Sequence, residues 1–390
     1  MEKGRDLLPG LKKAQVAGVL LAIVGIVLFV LALGNNDPNV WQSYLVGFII
    51  WTGLTLGCLA LTLLKHVTRG SWGFPIIRFL ETGAMMVPLM AILFIPILMN
   101  LGAIYPWARP ELVAQSDVLQ HKAALLNPTG FGLRAVVYFV LWTFMAYVLA
   151  MSSKKEDETG DPELVIRRNS FAAPMAVLFV LAVTFAITDW VMSLEYHWFS
   201  TIFGLLTVVG QALFAMAVAT VFAVSVSKLR PFSDFLTRQS YKDFGNLLLT
   251  MTILWAYMSF AQFLIIWSGN LPEEITYYLD RGEGDWRWFG GALIFLHFFL
   301  PFFLLLSSRV KRTPTMLGWV AAFIVCIRIV DLIWVVVPSL HRVGSPFHWT
   351  DLAAFLGIGG LWIIAFSTVL ATRYVLPQYD FPKQELLEHA

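Results

Sequence analysis

Two pairs of opposite charges stand inside long apolar stretches of this chain: Arg78 with Glu81, and Arg328 with Asp331. Each pair is spaced three residues apart, so on a helix both side chains share one face and can neutralise each other. A charge held in the middle of a membrane costs about 2.5–3.5 kcal/mol on insertion scales, which makes such residues candidates for function. His297 and Asp189 are also embedded in apolar sequence, and Gln211, Tyr257 and Gln262 add polar groups between them. Taking 1.5 Å per helical residue, Glu81 lies about 10 Å in from one edge. Gln211 falls in the inner half, Tyr257 and His297 near the middle, Arg328 and Asp331 in the outer half, and Asp189 at the outer end. Titratable and hydroxyl groups spread through depth in this way can relay protons through bridging water. The candidates for such a path are therefore Arg78, Glu81, Gln211, Tyr257, His297, Arg328, Asp331 and Asp189. Each pair can instead be an interhelical clamp, His297 can be a packed and hydrogen-bonded core residue, and Arg78 is near enough to an interface to snorkel.

The elements that carry these residues follow from composition. The chain has 390 residues, 58% hydrophobic, 15% aromatic and 13% charged, with a mean hydropathy of +0.73. An average soluble domain is about 25% charged, so an ordinary water-soluble enzyme is excluded. A net charge of +2 gives no basic field for nucleic acid. A membrane-spanning helix needs about 20 mostly apolar residues. Ten runs meet this: 14–33, 41–64, 74–103, 131–152, 170–192, 199–226, 246–269, 287–308, 314–338 and 350–373. They predict an all-α integral membrane protein with ten transmembrane helices and a single polytopic domain over 1–390. The first run follows Lys12 and Lys13 but is too long for a signal peptide, so it reads as a span. The third contains Pro88 and Pro96 and should be kinked or tilted.

Lys and Arg between the runs set orientation. Nineteen fall on the side of the N-terminus and five (Arg109, Lys122, Arg281, Arg287 and Arg342) on the other. Both termini are therefore expected in the cytoplasm. The opposite face carries two ornate loops, 104–130 and 270–287. The second sets Glu273, Glu274, Asp280, Glu283 and Asp285 among Tyr277, Tyr278 and Trp286. Aromatic anchors among acids suit a docking partner as well as a solvated loop.

Of seven histidines only His297 sits well inside a span, whereas a haem held in a helical bundle usually takes two axial imidazoles. Cys58 and Cys326 are far apart and form no metal or redox motif,. No cluster has transition-metal spacing. No cofactor bound by this chain is expected; redox chemistry would use a mobile quinone or sit on other subunits. Ala215, Ala219 and Ala223 form a small-residue ridge, as do Gly357 and Gly360, allowing close helix approach. Trp41, Trp51, Trp107 and Trp198 read as interface anchors or core filling.

The most distinctive segment joins helices 5 and 6. It places Asp189, Glu195 and His197 together at the outer face, where two carboxylates and an imidazole can exchange protons near neutral pH or simply bond a polar hairpin together. This stretch, DWVMSLEYHWFSTIFG, resembles the large membrane subunits of alternative complex III, a bacterial quinol:cytochrome c oxidoreductase, within the polysulfide-reductase membrane-subunit (NrfD-like) family. The ten spans and cytoplasmic termini agree over 14–373. The resemblance implies two four-helix bundles, helices 2–5 and 6–9, with helices 1 and 10 peripheral, in the bacterial inner (cytoplasmic) membrane. It implies partners: a multihaem cytochrome c subunit with haem c, an iron–sulfur subunit with iron–sulfur clusters, small membrane or haem subunits, and a paralogous ten-helix quinol-binding subunit. It also implies electron transport in a respiratory chain, with proton translocation coupled to menaquinol oxidation.

Helices 2–5 contain no membrane-embedded histidine, so the chain looks more like the second of the paired large subunits, supporting assembly and proton movement rather than catalysing alone. Direct quinone binding is the alternative within the family. A secondary transporter is the alternative outside it, for which paired interrupted helices in the two halves would speak.

Overall fold

The computed structural model describes residues 8–341 and 347–379. Lys3, Arg5, Arg342 and Lys383, counted above for orientation, lie outside the described residues. The chain is helical, with no strand among those described. Ten helices are long and apolar enough to cross a membrane: Pro9–Gly34, Val40–Thr68, Ile77–Met99, Pro128–Thr159, Glu163–Leu194, Phe203–Val226, Arg238–Gly269, Trp286–Leu306, Pro314–Leu340 and Trp349–Ala371. These are helices 1 to 10 below. They match the ten runs one for one, but several are longer than the apolar sequence. Helix 4 runs on through Lys154–Glu158, and helix 5 begins at Glu163 rather than 170. Charged residues outside the apolar stretch are good helix formers and simply extend the rod.

Two helices are interrupted well inside their spans, each by a proline. Helix 3 breaks between Ile77–Ala84 and Val87–Met99. Pro88 has no N–H for the Ala84 carbonyl and its ring crowds that oxygen. In helix 8 the segment Ile294–Phe299 winds as a π-helix before Leu300–Leu306. Pro301 likewise cannot donate to the carbonyl of His297, and the wider turn accommodates the mismatch.

Helix 2 is the most enclosed, packing against helices 3, 5, 6 and 10. Helix 6 in turn packs against helices 2, 5, 7 and 9, and helix 1 lies along helix 10. Glycine decides the closest approaches. A Cβ on Gly57 would collide with the backbone of Gln211, and one on Gly25 with the backbone of Gly357. The partner of the Gly357/Gly360 ridge is thus helix 1, with Gly18 and Gly25 facing it. The rest of helix 1 is an exposed apolar surface from Val16 to Leu33, as expected for a helix lying against lipid. Gly25→Leu is expected to prise helix 1 from helix 10 and lower the thermal midpoint in detergent; an unchanged midpoint would show that this contact contributes no stability. Trp107 and Trp198 are core residues: the Trp107 indole donates to Ser193 Oγ at 3.0 Å, and Trp198 stacks on Tyr277 with centroids 4.1 Å apart.

Candidate functional site

Buried charges gather in three places. At the end of the helices that carries Arg78, its guanidinium donates to Glu81 Oε2 at 2.8 Å and to Asp157 Oδ1 and Oδ2 at 2.6 and 2.7 Å. Arg373, beyond helix 10, reaches the same Glu81 at 3.0 Å, and Arg168 pairs with Glu156. The Gln378 backbone N–H caps Asp157 at 3.0 Å. Arg78 does not snorkel: it is 2% exposed and forked between two carboxylates. Arg168 and Arg373, both counted toward the orientation bias, are buried. Glu156 and Asp157 escaped sequence reasoning because they fall in the run Lys154–Glu158, which reads as solvated loop; the local pattern carries no sign of which charges turn inward.

Near the other end, Asp189 receives a bidentate fork from Arg134, with both bonds at 2.8 Å, and a hydroxyl bond from Tyr138 at 2.9 Å. The expected trio of Asp189, Glu195 and His197 takes separate partners. Glu195 turns toward His341, and His197 is exposed and packs on Tyr196.

The third cluster lies between these ends. Arg328 and Asp331 on helix 9 form the ion pair their spacing predicts. His297, in the π segment of helix 8, is completely buried, with Nδ1 3.8 Å from Asp331 Oδ2 and its ring against Trp255. At that separation no hydrogen bond is made, and neither ring nitrogen has a partner. Room for the guanidinium comes from Gly210 on helix 6, where a Cβ would strike Arg328.

Arg328 and Asp331 form one wall of a cavity of about 710 Å³ between helices 2, 5, 6, 7, 8 and 9. Arg328, Asp331, Gln211, Gln262, Tyr277 and Tyr278 supply its polar groups, and the remaining lining is almost wholly apolar. Gln262 is fixed by Ser200 at 2.9 Å and Tyr278 at 3.3 Å. Tyr257, at 67% exposure, lines the mouth with Phe260 and Ile294, both also exposed. The opening therefore lies on the apolar flank, between helices 7 and 8. Helix 8 holds helix 7 chiefly through its Leu300–Leu306 half, and above the π segment the two diverge. The result is an apolar chamber entered from the hydrocarbon side and ending on a buried guanidinium and carboxylate, with the His297 imidazole behind the carboxylate. Gln211, His297 and the Arg328–Asp331 pair read from the sequence as three depths of a path; in the structure Gln211, Arg328 and Asp331 line one chamber, and His297 lies behind Asp331. Nothing local marks the chamber, since its apolar lining reads as ordinary spanning helix.

No protein-family model matches the sequence, and no curated protein matches it.

Proposed function

We propose that the chain is a membrane subunit, itself without haem or metal cluster, of a quinol:electron-acceptor oxidoreductase of the alternative complex III type, and that its chamber admits the quinone. The observation that carries this reading is the chamber itself. Its opening toward hydrocarbon suits an isoprenoid tail, and its inner wall offers a fixed cation and a carboxylate for a polar head group. Arg328 can donate to a head-group oxygen. Asp331 can take up a proton when a hydroxyl is oxidised, and His297, whose nitrogens are otherwise unpartnered, can receive it next. Electrons would leave to haem c and iron–sulfur centres on partner subunits.

The further features of this reading have separate support. Helix pairings 2–3, 3–4, 4–5 and 2–5, and likewise 6–7, 7–8, 8–9 and 6–9, favour two four-helix bundles with helices 1 and 10 outside. Cytoplasmic termini are favoured by the lysine and arginine bias, which survives when the buried Lys65, Arg168, Lys311 and Arg373 are set aside,. In those bundles the interrupted helices 3 and 8 hold different positions, unlike the matched broken helices of a transporter.

Purification in mild detergent through a tag on this chain tests the assembly. Co-purification of c-type haem, an iron–sulfur protein and a second ten-helix protein is the expected result; a colourless protein running alone would overturn it. The chamber is tested with a photoreactive quinone analogue. Labelling should map to helices 7 and 8 and drop at least tenfold in Ala256→Trp, which fills the chamber; labelling indifferent to that substitution would exclude the chamber as the site.

A further inference from the structure

At the end of the molecule that carries Asp189, three ligand atoms from three separate segments converge. Glu195 follows helix 5, Asp280 lies on the short helix Pro272–Gly282, and His341 follows helix 9. One carboxylate oxygen from each acid and one imidazole nitrogen all lie within 4.8 Å of one another, with His341 Nε2 3.8 Å from Glu195 Oε2. Glu195 is 7% exposed, and its second oxygen, Oε1, is buried without any hydrogen-bond donor. A buried carboxylate oxygen lacking a donor, beside a second carboxylate, needs a cation or a proton between them.

The neighbouring cation does not fill that need. Arg281 spends its guanidinium on the Tyr277 carbonyl at 2.8 Å, the Val335 carbonyl at 2.6 Å and Ser339 Oγ at 2.8 Å, and it stacks on the Tyr277 ring. Those bonds pin the short helix to the end of helix 9 and so hold Asp280 beside His341.

We propose that Glu195, Asp280 and His341 form a binding site for a divalent transition-metal ion of the zinc class. One imidazole nitrogen and two carboxylate oxygens are a donor set of that class, with water as fourth ligand. Metal–ligand bonds of about 2.0–2.2 Å put tetrahedral donors about 3.4 Å apart. The closure from the present spacing is within reach of the exposed His341 side chain. Without the ion, protons take its place: burial and then the Glu195 charge push Asp280 up to about 6. The ion would tie the ends of helices 5 and 9 to the short helix whose Tyr277 and Tyr278 line the chamber, fixing the chamber's roof. This inference stands on the outer cluster alone and does not depend on the quinone reading.

The test uses the full chain, purified with chelator, returned to zinc, and titrated against a chromophoric chelator. One zinc per chain is expected, with a nitrogen-and-oxygen first shell by X-ray absorption. His341→Ala and Glu195→Gln should each weaken binding at least tenfold, whereas Asp285→Asn, an exposed acid on the same loop, should not. Because His341 is exposed, its variant reads the site even if Glu195→Gln fails to fold. No retained zinc, a cluster that only titrates protons, or zinc that survives both substitutions (an adventitious ion only) would each overturn the assignment.

Discussion

Asp331→Asn is expected to assemble at normal levels while quinol oxidation by the purified complex falls by about 100-fold, the low end for loss of a positioned proton-transfer group. Asparagine keeps the size of the side chain and one oxygen for Arg328, so the guanidinium stays partly satisfied, but it cannot take up a proton. The geometry separates this from a purely structural role. Asp331→Leu would leave Arg328 buried without a counter-charge, at a cost of about 3–5 kcal/mol, and should not accumulate. The double variant Arg328→Met/Asp331→Leu removes both charges and should recover folding without recovering activity. Protons moved per electron in proteoliposomes should fall with Asp331→Asn. If assembly and activity instead decline in parallel across all three variants, the pair is a clamp and the proton role is lost.

The second large effect is expected at the end of the helices that carries Arg78. Arg78→Met removes the one guanidinium that forks between Glu81 and Asp157. Glu81 keeps Arg373, but Asp157 retains only the Gln378 N–H. Stranding a buried carboxylate costs about 3–5 kcal/mol, which should show as a sharp loss of folded protein and of thermal midpoint in detergent. Since Asp157 and Glu81 bind the segment after helix 10 through Gln378 and Arg373, proteolysis near residues 373–379 should quicken in the same variant. Arg78→Met/Asp157→Leu should restore part of the loss. Unaltered yield and protease resistance in Arg78→Met would show that this network does not hold the fold.

Much of the architecture was legible because membrane burial is a demand on each segment separately. A run such as 314–338 must be apolar over its own length whatever it packs against, and so all ten helices are readable, as is a kink in helix 3, although Pro88 and Pro96 are equal candidates for it and only Pro88 stands at the break. The π segment of helix 8 was not anticipated, although Pro301 carried its signal: a missing N–H four residues after His297. The i,i+3 pairs Arg78–Glu81 and Arg328–Asp331 were readable for the same reason, since a helix alone brings them together. The helical extension through Lys154–Glu158 is not legible, because such a charge run is equally compatible with a solvated coil and with a helix whose acids turn inward.

What the sequence by itself determined is thus the set of helices and the charge pairs internal to one of them, because hydrophobic length and helical period act within a short stretch of chain. Only the tertiary structure decided that Arg78 also holds Asp157, that Asp189 belongs to Arg134 and Tyr138, that Glu195 meets Asp280 and His341, and that His297 comes to Asp331. It alone opened the chamber, because a cavity is made where helices far apart in sequence fail to touch. The divergence of helices 7 and 8, and the space that Gly210 leaves for Arg328, exist only once those surfaces have met.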